Sequence, residues 1–368
     1  METSWKAPAP PRAETVVNMA RSPTATETDV VRTITPRVLV TGATGFIGRR
    51  LVAHLVDQGQ HLIRASVRTS LLAPMSGGTE VVGPCELTAD ADWRKALSGV
   101  SVVVHTAATT GIGSSRHGAA ALEKLRGTDV AGTLKLAAQA ADAGVRRFVF
   151  LSSIKVHGET SKHAQPIRVD SESAPEEPYA IAKLETERLL QNHLRDTGTD
   201  LVIVRPPLVY GPGVKGHVAA LIRWLARGWP LPLGAVRDNR RSLLALDNLV
   251  DLLAICIHHP AAANKVFLAS DGEDVSTTEL LWRLARAMNR QPRLMPVPGG
   301  LLRAAAGIVR RSDIAHRMLD SLQVDMSATR LTLGWVPPLS LDDGLFRSVA
   351  HLVAAEQPFK PRRFGGTG

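Results

Sequence analysis

The sequence predicts an α/β fold: a doubly wound parallel sheet followed by a smaller, mostly helical carboxyl-terminal region. Three observations carry this expectation. Between residues 37 and 205, short β-rich apolar runs alternate with helical patterns. The strand-like runs are apolar throughout, as expected of parallel strands covered on both faces. After Pro206 the rhythm breaks, and helical stretches alternate with Pro- and Gly-rich loops.

The first strand is Arg37-Val38-Leu39-Val40-Thr41, and a glycine turn leads from it into a helical pattern, Phe46-Ile47-Gly48-Arg49-Arg50-Leu51-Val52. Strands are expected at His61–Val67 and near Glu80–Val82, then a short helix at Asp92–Leu97 and a buried strand at Val102-Val103-Val104. A long helix from Leu122 to Ala143 precedes the strand Phe148-Val149-Phe150-Leu151, and a helix at 179–197 precedes the strand Leu201–Arg205. Helices at about 216–227, 247–258, 276–289 and 300–320 complete the pattern. The expected domains are a sheet domain at 37–205 and a lid at 206–354, with some lid segments returning to the sheet. Residues 1–36 lack the apolar core of a signal peptide and read as a disordered extension, with Met19 as a second candidate start; 355–368 reads as a tail.

A chain of 368 residues, 44% apolar and 21% charged, can bury a large core. Its two cysteines, Cys85 and Cys256, lie far apart, which excludes a disulfide framework, offers no metal-ligand spacing and suits a reducing cytoplasm. The uncharged stretch Gly99–Ser115 is too short and too rich in Gly, Ser and Thr to span a membrane. The net charge is +10, and between Arg283 and Arg317 eight arginines face one acid, Asp313. Such a stretch suits nucleic acid, an anionic membrane surface, or a solvated helical face near a site for phosphorylated ligands. Trp282 is its one aromatic residue, too little for base stacking, so no nucleic-acid partner is expected and the solvated face is preferred.

The chemistry begins at Thr41-Gly42-Ala43-Thr44-Gly45-Phe46-Ile47-Gly48. Glycines at 42, 45 and 48, between a strand and a helix, permit a tight turn, a close approach of backbone amides to a pyrophosphate, and tight packing of helix on strand. The helix amino terminus then favours the phosphate charge. About 20 residues past the last glycine an acid would hold the adenosine ribose. Arg68 stands there instead, which tilts an NAD(P) site towards NADP(H) by accommodating a 2′-phosphate.

Tyr179 and Lys183 lie four apart at the start of a helical segment, on one face and one turn apart. A tyrosine is a poor acid–base catalyst at neutral pH unless a cation lowers its pKa, and Lys183, helped by an oxidised nicotinamide, is expected to do so. The pair follows Leu151-Ser152-Ser153, hydroxyls at the carboxyl end of a strand, where α/β sites form. Ser153 would hydrogen-bond the reacting oxygen.

With these pieces the chain resembles the extended short-chain dehydrogenases/reductases of the nucleotide-sugar epimerase/dehydratase group, over roughly residues 37–350. The resemblance also rests on Val104-His105-Thr106-Ala107-Ala108, Ser152-Ser153-Ile154-Lys155-Val156-His157-Gly158, Arg205-Pro206-Pro207-Leu208-Val209-Tyr210-Gly211-Pro212-Gly213 and Leu333-Gly334-Trp335. It implies a Rossmann-type sheet with a substrate lid, and cofactor contacts at Gly42, Gly45, Phe46, Ile47, Gly48, Ala107, Ala108, Tyr179, Lys183 and Pro206. Glu86 and Leu87 stand where the family has an Asp beside the adenine. Ser153, Lys155, Tyr179 and Arg241 are the implied substrate contacts, Arg241 matching an arginine that holds the nucleotide diphosphate. A homodimer through a four-helix bundle of segments 122–143 and 179–197 is a further implication. Three departures stand out: the family's Asn before Val-x-Gly-Thr is Asp129, its substrate-binding Asn is Leu208, and its second diphosphate arginine has only the candidates Arg310, Arg311 and Arg317.

Dehydratases of the family carry an Asp-Glu pair where Ile154 and Lys155 stand, so dehydration is not expected. Two reactions remain, a 4-epimerase of a UDP-sugar and a 4-ketoreductase of a UDP-4-keto-6-deoxy-hexosamine. The motif wording resembles enzymes of surface-polysaccharide sugar synthesis. A third reading, a Rossmann sensor or assembly protein without catalysis, is disfavoured because such relatives usually lose the Tyr/Lys pair. The sugar and the nucleotide base are not legible.

Overall fold

The computed structural model describes residues 35–356, apart from 69–74, 76, 84, 110–117, 163–164 and 309–311. Most of the expected amino-terminal extension and most of the expected tail lie outside the described residues.

The first half runs β1 (Arg37–Thr41), α1 (Phe46–Gln58), β2 (Leu62–Ser66), β3 (Thr79–Val82), α2 (Arg94–Leu97), β4 (Val102–His105), α3 (Ala119–Leu125), α4 (Ala131–Asp142), β5 (Arg147–Leu151), α5 (Pro178–Leu194) and β6 (Asp200–Arg205). The second half runs β7 (Leu208–Tyr210), α6 (Gly216–Ala226), β8 (Arg241–Ala245), α7 (Leu246–His258), β9 (Lys265–Leu268), β10 (Asp274–Val275), α8 (Thr277–Ala287), α9 (Gly299–Ile308), α10 (Ser312–Leu319), α11 (Ser327–Leu333) and α12 (Leu341–Glu356).

Seven strands form one sheet in the order β3-β2-β1-β4-β5-β6-β9, and every pairing is parallel. Successive side chains in a strand point to opposite faces, and both faces are covered. Val38, Val40, Val102 and Val104 pack with Leu51 and Leu55 of α1 and Leu249 and Leu253 of α7 on one side. Leu39, Val103, Phe148 and Phe150 pack with Leu136 and Ala140 of α4 and Leu190 of α5 on the other. Strand order reverses between β1 and β4, so a crevice opens at their carboxyl ends, where doubly wound sheets bind ligands.

Beyond β6 a second sheet, β10-β8-β7, has its own core of Tyr210, Val218, Leu243, Leu281 and Leu345. β9 leaves this region and joins the large sheet beside β6. An ion pair buried on both sides, Arg205 to Glu187 (2.5 Å), ties the end of β6 to α5, and Arg205 also reaches His157 Nε2 at 2.9 Å.

Several elements differ from expectation. The helix expected at 122–143 begins at Ala119 and is interrupted by a π-helical turn at Arg126–Val130. The helix expected at 300–320 is two helices, α9 and α10. β7, β8, β9 and β10 were not expected, because runs of two to five residues between loops carry too few positions to show a period. α12 was likewise not expected, and its helix takes in the first two residues of the expected tail.

Candidate active site

The turn after β1 is built around absent side chains. Gly42 has φ +67°, and a Cβ there would lie 2.7 Å from the Ala107 amide nitrogen. A Cβ at Gly48 would lie 2.2 Å from the Gly42 carbonyl oxygen, so α1 can rest directly on the turn. Gly45 N donates to Gly42 O at 2.8 Å and closes the turn. Gly45 is also the N-cap residue of α1 and has no side chain to satisfy the first amides. The positive end of a 13-residue helix is therefore left open above a side-chain-free cradle. Phe46 and Ile47 are half-buried and turn inward onto the core.

Around this cradle, Thr106 Oγ1 donates to Thr41 O at 2.6 Å and Ala107 N to Thr41 Oγ1 at 3.4 Å, which seats Ala107 and Ala108 against the glycine turn. His105, fully buried, bridges Thr41 Oγ1 (2.7 Å) and Thr133 Oγ1 (2.9 Å). Burial pushes its pKa down to about 3, so it is a neutral strut. Arg68 is exposed just beyond β2, and Glu86 is exposed beyond β3. Leu87 is held against α4, where a Cβ on Gly132 would sit 2.6 Å from its carbonyl carbon.

α5 carries the predicted catalytic pair. Pro178 opens the helix, where its missing N–H costs nothing, and Tyr179 follows. Lys183 is buried and donates to Leu151 O, the last carbonyl of β5, at 2.9 Å. Its ammonium lies 4.5 Å from the Phe150 ring centroid and 5.8 Å from that of Tyr179. Ala107, Asp129, Phe150, Tyr179, Lys183 and Thr186 line one small pocket. Asp129, on the π-turn, accepts from Thr109 N at 2.7 Å and from Thr109 Oγ1 at 2.5 Å.

Burial, reinforced by the Asp129 charge, pushes Tyr179 up to about 12. Burial also draws Lys183 down to about 8, against the opposing pull of Asp129 and Glu187. Desolvation penalises both charged forms, and at Lys183 it outweighs the carboxylates nearby.

Ser153 caps the short 3₁₀ turn Ile154–His157, its hydroxyl accepting from Lys155 N at 3.3 Å. Pro206 is buried beside it, and its carbonyl accepts from Ile154 N at 3.0 Å. Lys155 binds Glu159 and Glu177, each at 2.6 Å, and Glu177 is the N-cap residue of α5. Glu177 in turn receives Arg317 from α10 at 2.7 Å, and Arg317 reaches His217 Nε2 at 2.9 Å. Arg241 opens β8 and donates to Asp320 O at 2.8 Å. Burial lowers its pKa, and the Asp320, Glu159 and Arg317 charges all act on it. Arg241 and Arg317 thus converge, whereas Arg310 and Arg311 lie outside the described residues. Leu208 is exposed on β7.

Sequence reasoning missed Glu159, Glu177, Thr109 and His217. The i,i+4 spacing of Lys155 and Glu159 was a usable signal. Glu177 meets Arg317 across 140 residues, which no local pattern reveals.

An open helix terminus over glycines at the switch point, with a Tyr-x-x-x-Lys helix anchored on the neighbouring strand, defines a dinucleotide-dependent enzyme of the short-chain dehydrogenase/reductase type. The chain belongs to the NAD dependent epimerase/dehydratase family, whose model matches residues 38–269, and it is an NAD(P)-dependent epimerase or oxidoreductase. It is 41% identical over 314 residues to a UDP-glucose 4-epimerase of Vibrio cholerae, covering 85% of this chain and 94% of the relative. In fold it resembles the Thermotoga maritima UDP-glucose 4-epimerase with UDP-glucose (TM-score 0.67, 22% identity, 87% and 99% of the two chains). It also resembles the Bordetella bronchiseptica enzyme WbmG in complex with NAD (TM-score 0.67, 22% identity, 87% and 95%). Among the described residues, no helix is long and apolar enough to cross a membrane and no cluster of His, Cys, Asp and Glu could hold a metal ion.

Proposed function

We propose that the chain is a 4-epimerase of a UDP-hexose, of the UDP-glucose/UDP-N-acetylglucosamine type, working in the cytoplasm on sugars for surface polysaccharide. The observation that carries this reading is the Tyr179–Lys183 pair, anchored on Leu151 and sharing a pocket with Ala107 of the cofactor cradle. The relative from Vibrio cholerae, matched along nearly its whole length, supports the substrate class.

The cradle of Gly42, Gly45 and Gly48, with the uncapped start of α1, fits a dinucleotide pyrophosphate. Ala107, Lys183 and Pro206 border the nicotinamide end, and Glu86 and Leu87 the adenine end. A nicotinamide held there would supply reversible hydride exchange at carbon 4, which inversion through a ketosugar requires. Tyr179 Oη takes the proton of the 4-hydroxyl and gives it back. Ser153 Oγ orients that same oxygen and stabilises charge developing on it. Lys183, fixed by Leu151 and Phe150, holds positive charge under the pair. Arg241 and Arg317 would clamp the diphosphate, and Lys155, neutralised by two glutamates, is poised beside the sugar instead of acting as an eliminating acid.

A second reading, reduction of a UDP-4-keto-6-deoxy-hexosamine, is favoured by Arg68, whose exposed position beyond β2 suits the 2′-phosphate of NADPH. One assay separates them. Purified protein with UDP-glucose or UDP-N-acetylglucosamine should form the 4-epimer with no net change in NAD(P)H absorbance. Stoichiometric loss of NADPH on a 4-ketosugar, with no epimer formed, would establish the reductase instead. In either assay Tyr179→Phe should lower turnover by about 10²–10⁴-fold with cofactor binding retained. Near-normal turnover in that variant would remove Tyr179 from the chemistry.

A further inference from the structure

The lid has a surface that the chemistry at Tyr179 leaves unused. The described residues of 213–237 and 289–312 contain seven lysines and arginines and no aspartate or glutamate, with Asp238 and Asp313 following directly at their ends. Main-chain hydrogen bonds hold the two segments side by side: Leu231 N to Arg293 O (2.9 Å), Met295 N to Leu231 O (2.8 Å) and Gly234 N to Met295 O (2.9 Å). Large apolar side chains stand out from both, namely Trp224, Trp229, Met295, Leu301 and Ile308, the last two 63% and 84% exposed.

α9 shows the anomaly most clearly. Leu302 and Ala306 pack inward on Val236 and Leu319. Its outward side is Leu301, Ala304, Ala305 and Ile308, where a helix facing water carries polar residues. On the first segment, Trp224 and Trp229 meet edge to face at 5.1 Å, and Arg227 lies 4.9 Å over the Trp229 ring. Arg303 is neutralised by Asp320, and the cationic character rests on the exposed Lys215, Arg223, Arg227, Arg237 and Arg293.

We propose that this face docks on an anionic lipid bilayer. Two properties occur together there, and a bilayer surface matches both: exposed lysine and arginine side chains match acidic headgroups, and protruding apolar side chains match the acyl boundary beneath them. Tryptophan rings settle at headgroup level, and arginine stems extend along apolar surface while their guanidinium groups reach phosphate. A nucleic-acid partner would use the cations but gain nothing from Leu301 and Ile308, since its outer surface is phosphate and sugar. α6 links the face to the site: its first turn carries His217, which contacts Arg317, and its last turns carry Arg223 and Trp224. Docking would therefore set the diphosphate end of the site close to the membrane plane. The proposal does not depend on which sugar is turned over.

The full chain should co-sediment with vesicles of phosphatidylglycerol and phosphatidylcholine in equal parts. Its affinity for them should exceed that for pure phosphatidylcholine by on the order of tenfold or more and should fall with salt. Tryptophan emission should shift to the blue on binding. Two variant sets, Leu301→Ser with Ile308→Ser, and Arg227→Glu with Arg293→Glu, alter exposed positions and should each abolish sedimentation while leaving solution turnover unchanged. Equal binding to both vesicle types, or binding that survives both variant sets, overturns the proposal. So does binding of duplex DNA that the arginine variants remove and the Leu301/Ile308 variants keep, with no vesicle binding.

Discussion

Burying an ammonium group is unfavourable unless partners replace its water, and Lys183 has a carbonyl and two aromatic faces in place of a full ion pair. Its folded pKa of about 8 lies below the ordinary 10.5. Between these values the unfolded chain holds a proton that the folded chain lacks, so stability rises with pH across that window. Below about pH 8 the folded state bears the whole cost, on the order of 3 kcal/mol. Losing the bond to Leu151 O in Lys183→Met offsets about 1 kcal/mol of that. The variant should therefore be inactive yet more stable than wild type at pH 7, with the difference shrinking towards pH 10. Urea midpoints at the two pH values check this, and a less stable variant at pH 7 would contradict it. Tyr179 and Lys183 were legible because i,i+4 spacing puts them on one helix face wherever the helix goes. The direction of their pKa shifts was not, because it depends on how deeply the helix is buried and on Asp129, brought in by a separate element.

At the scale of elements, the glycine turn was legible in full because each glycine answers a local steric demand. Those demands differ, and the difference is testable. Gly45 has an ordinary backbone (φ −74°), and a Cβ there meets only the Gly42 carbonyl at 3.1 Å. Gly48 admits nothing, with that same carbonyl 2.2 Å from its Cβ. Gly45→Asp should keep the fold and lose NAD(P) binding, because its carboxylate would meet the pyrophosphate. Gly48→Ala should force α1 away from the turn and lower thermal stability as well. Circular dichroism melts with cofactor calorimetry separate the two, and unchanged cofactor affinity in a folded Gly45→Asp protein would discount the cradle. Elsewhere the element reading was incomplete for physical reasons. A π-turn changes hydrogen-bond partners without changing composition, so Arg126–Val130 reads as ordinary helix. α9 and α10 read as one helix, although Gly307 and the N-cap candidates Ser312 and Asp313 offer a signal of the break.

At the scale of the whole molecule, the parallel sheet was legible from its apolar runs, but the way the second half closes over it was not. β9 returns to the sheet at a distance from β6 that no period records, and the polar lid contacts join residues far apart in sequence. The chain Lys155–Glu177–Arg317–His217 is one such contact, running from the turn after β5 through the start of α5 to α10 and α6. Against the cost of burial, Lys155 and Arg317 hold the Glu177 carboxylate well below the usual range, at about 2. If Arg317 and Arg241 clamp the substrate diphosphate, that ligand must compete with Glu177 for the Arg317 guanidinium. Arg317→Ala should then weaken UDP binding by roughly 10–100-fold, the worth of a charge-assisted pair. Glu177→Gln should strengthen UDP binding, since it removes the competing charge and leaves Arg317 in place. The double variant should bind UDP no better than Arg317→Ala alone, because relief from Glu177 matters only when the arginine is present. Calorimetric titration with UDP reads all three, without turnover. If Glu177→Gln improves affinity equally with and without Arg317, the carboxylate acts on the nucleotide by general repulsion, and Arg317 is a structural tie between α10 and α5.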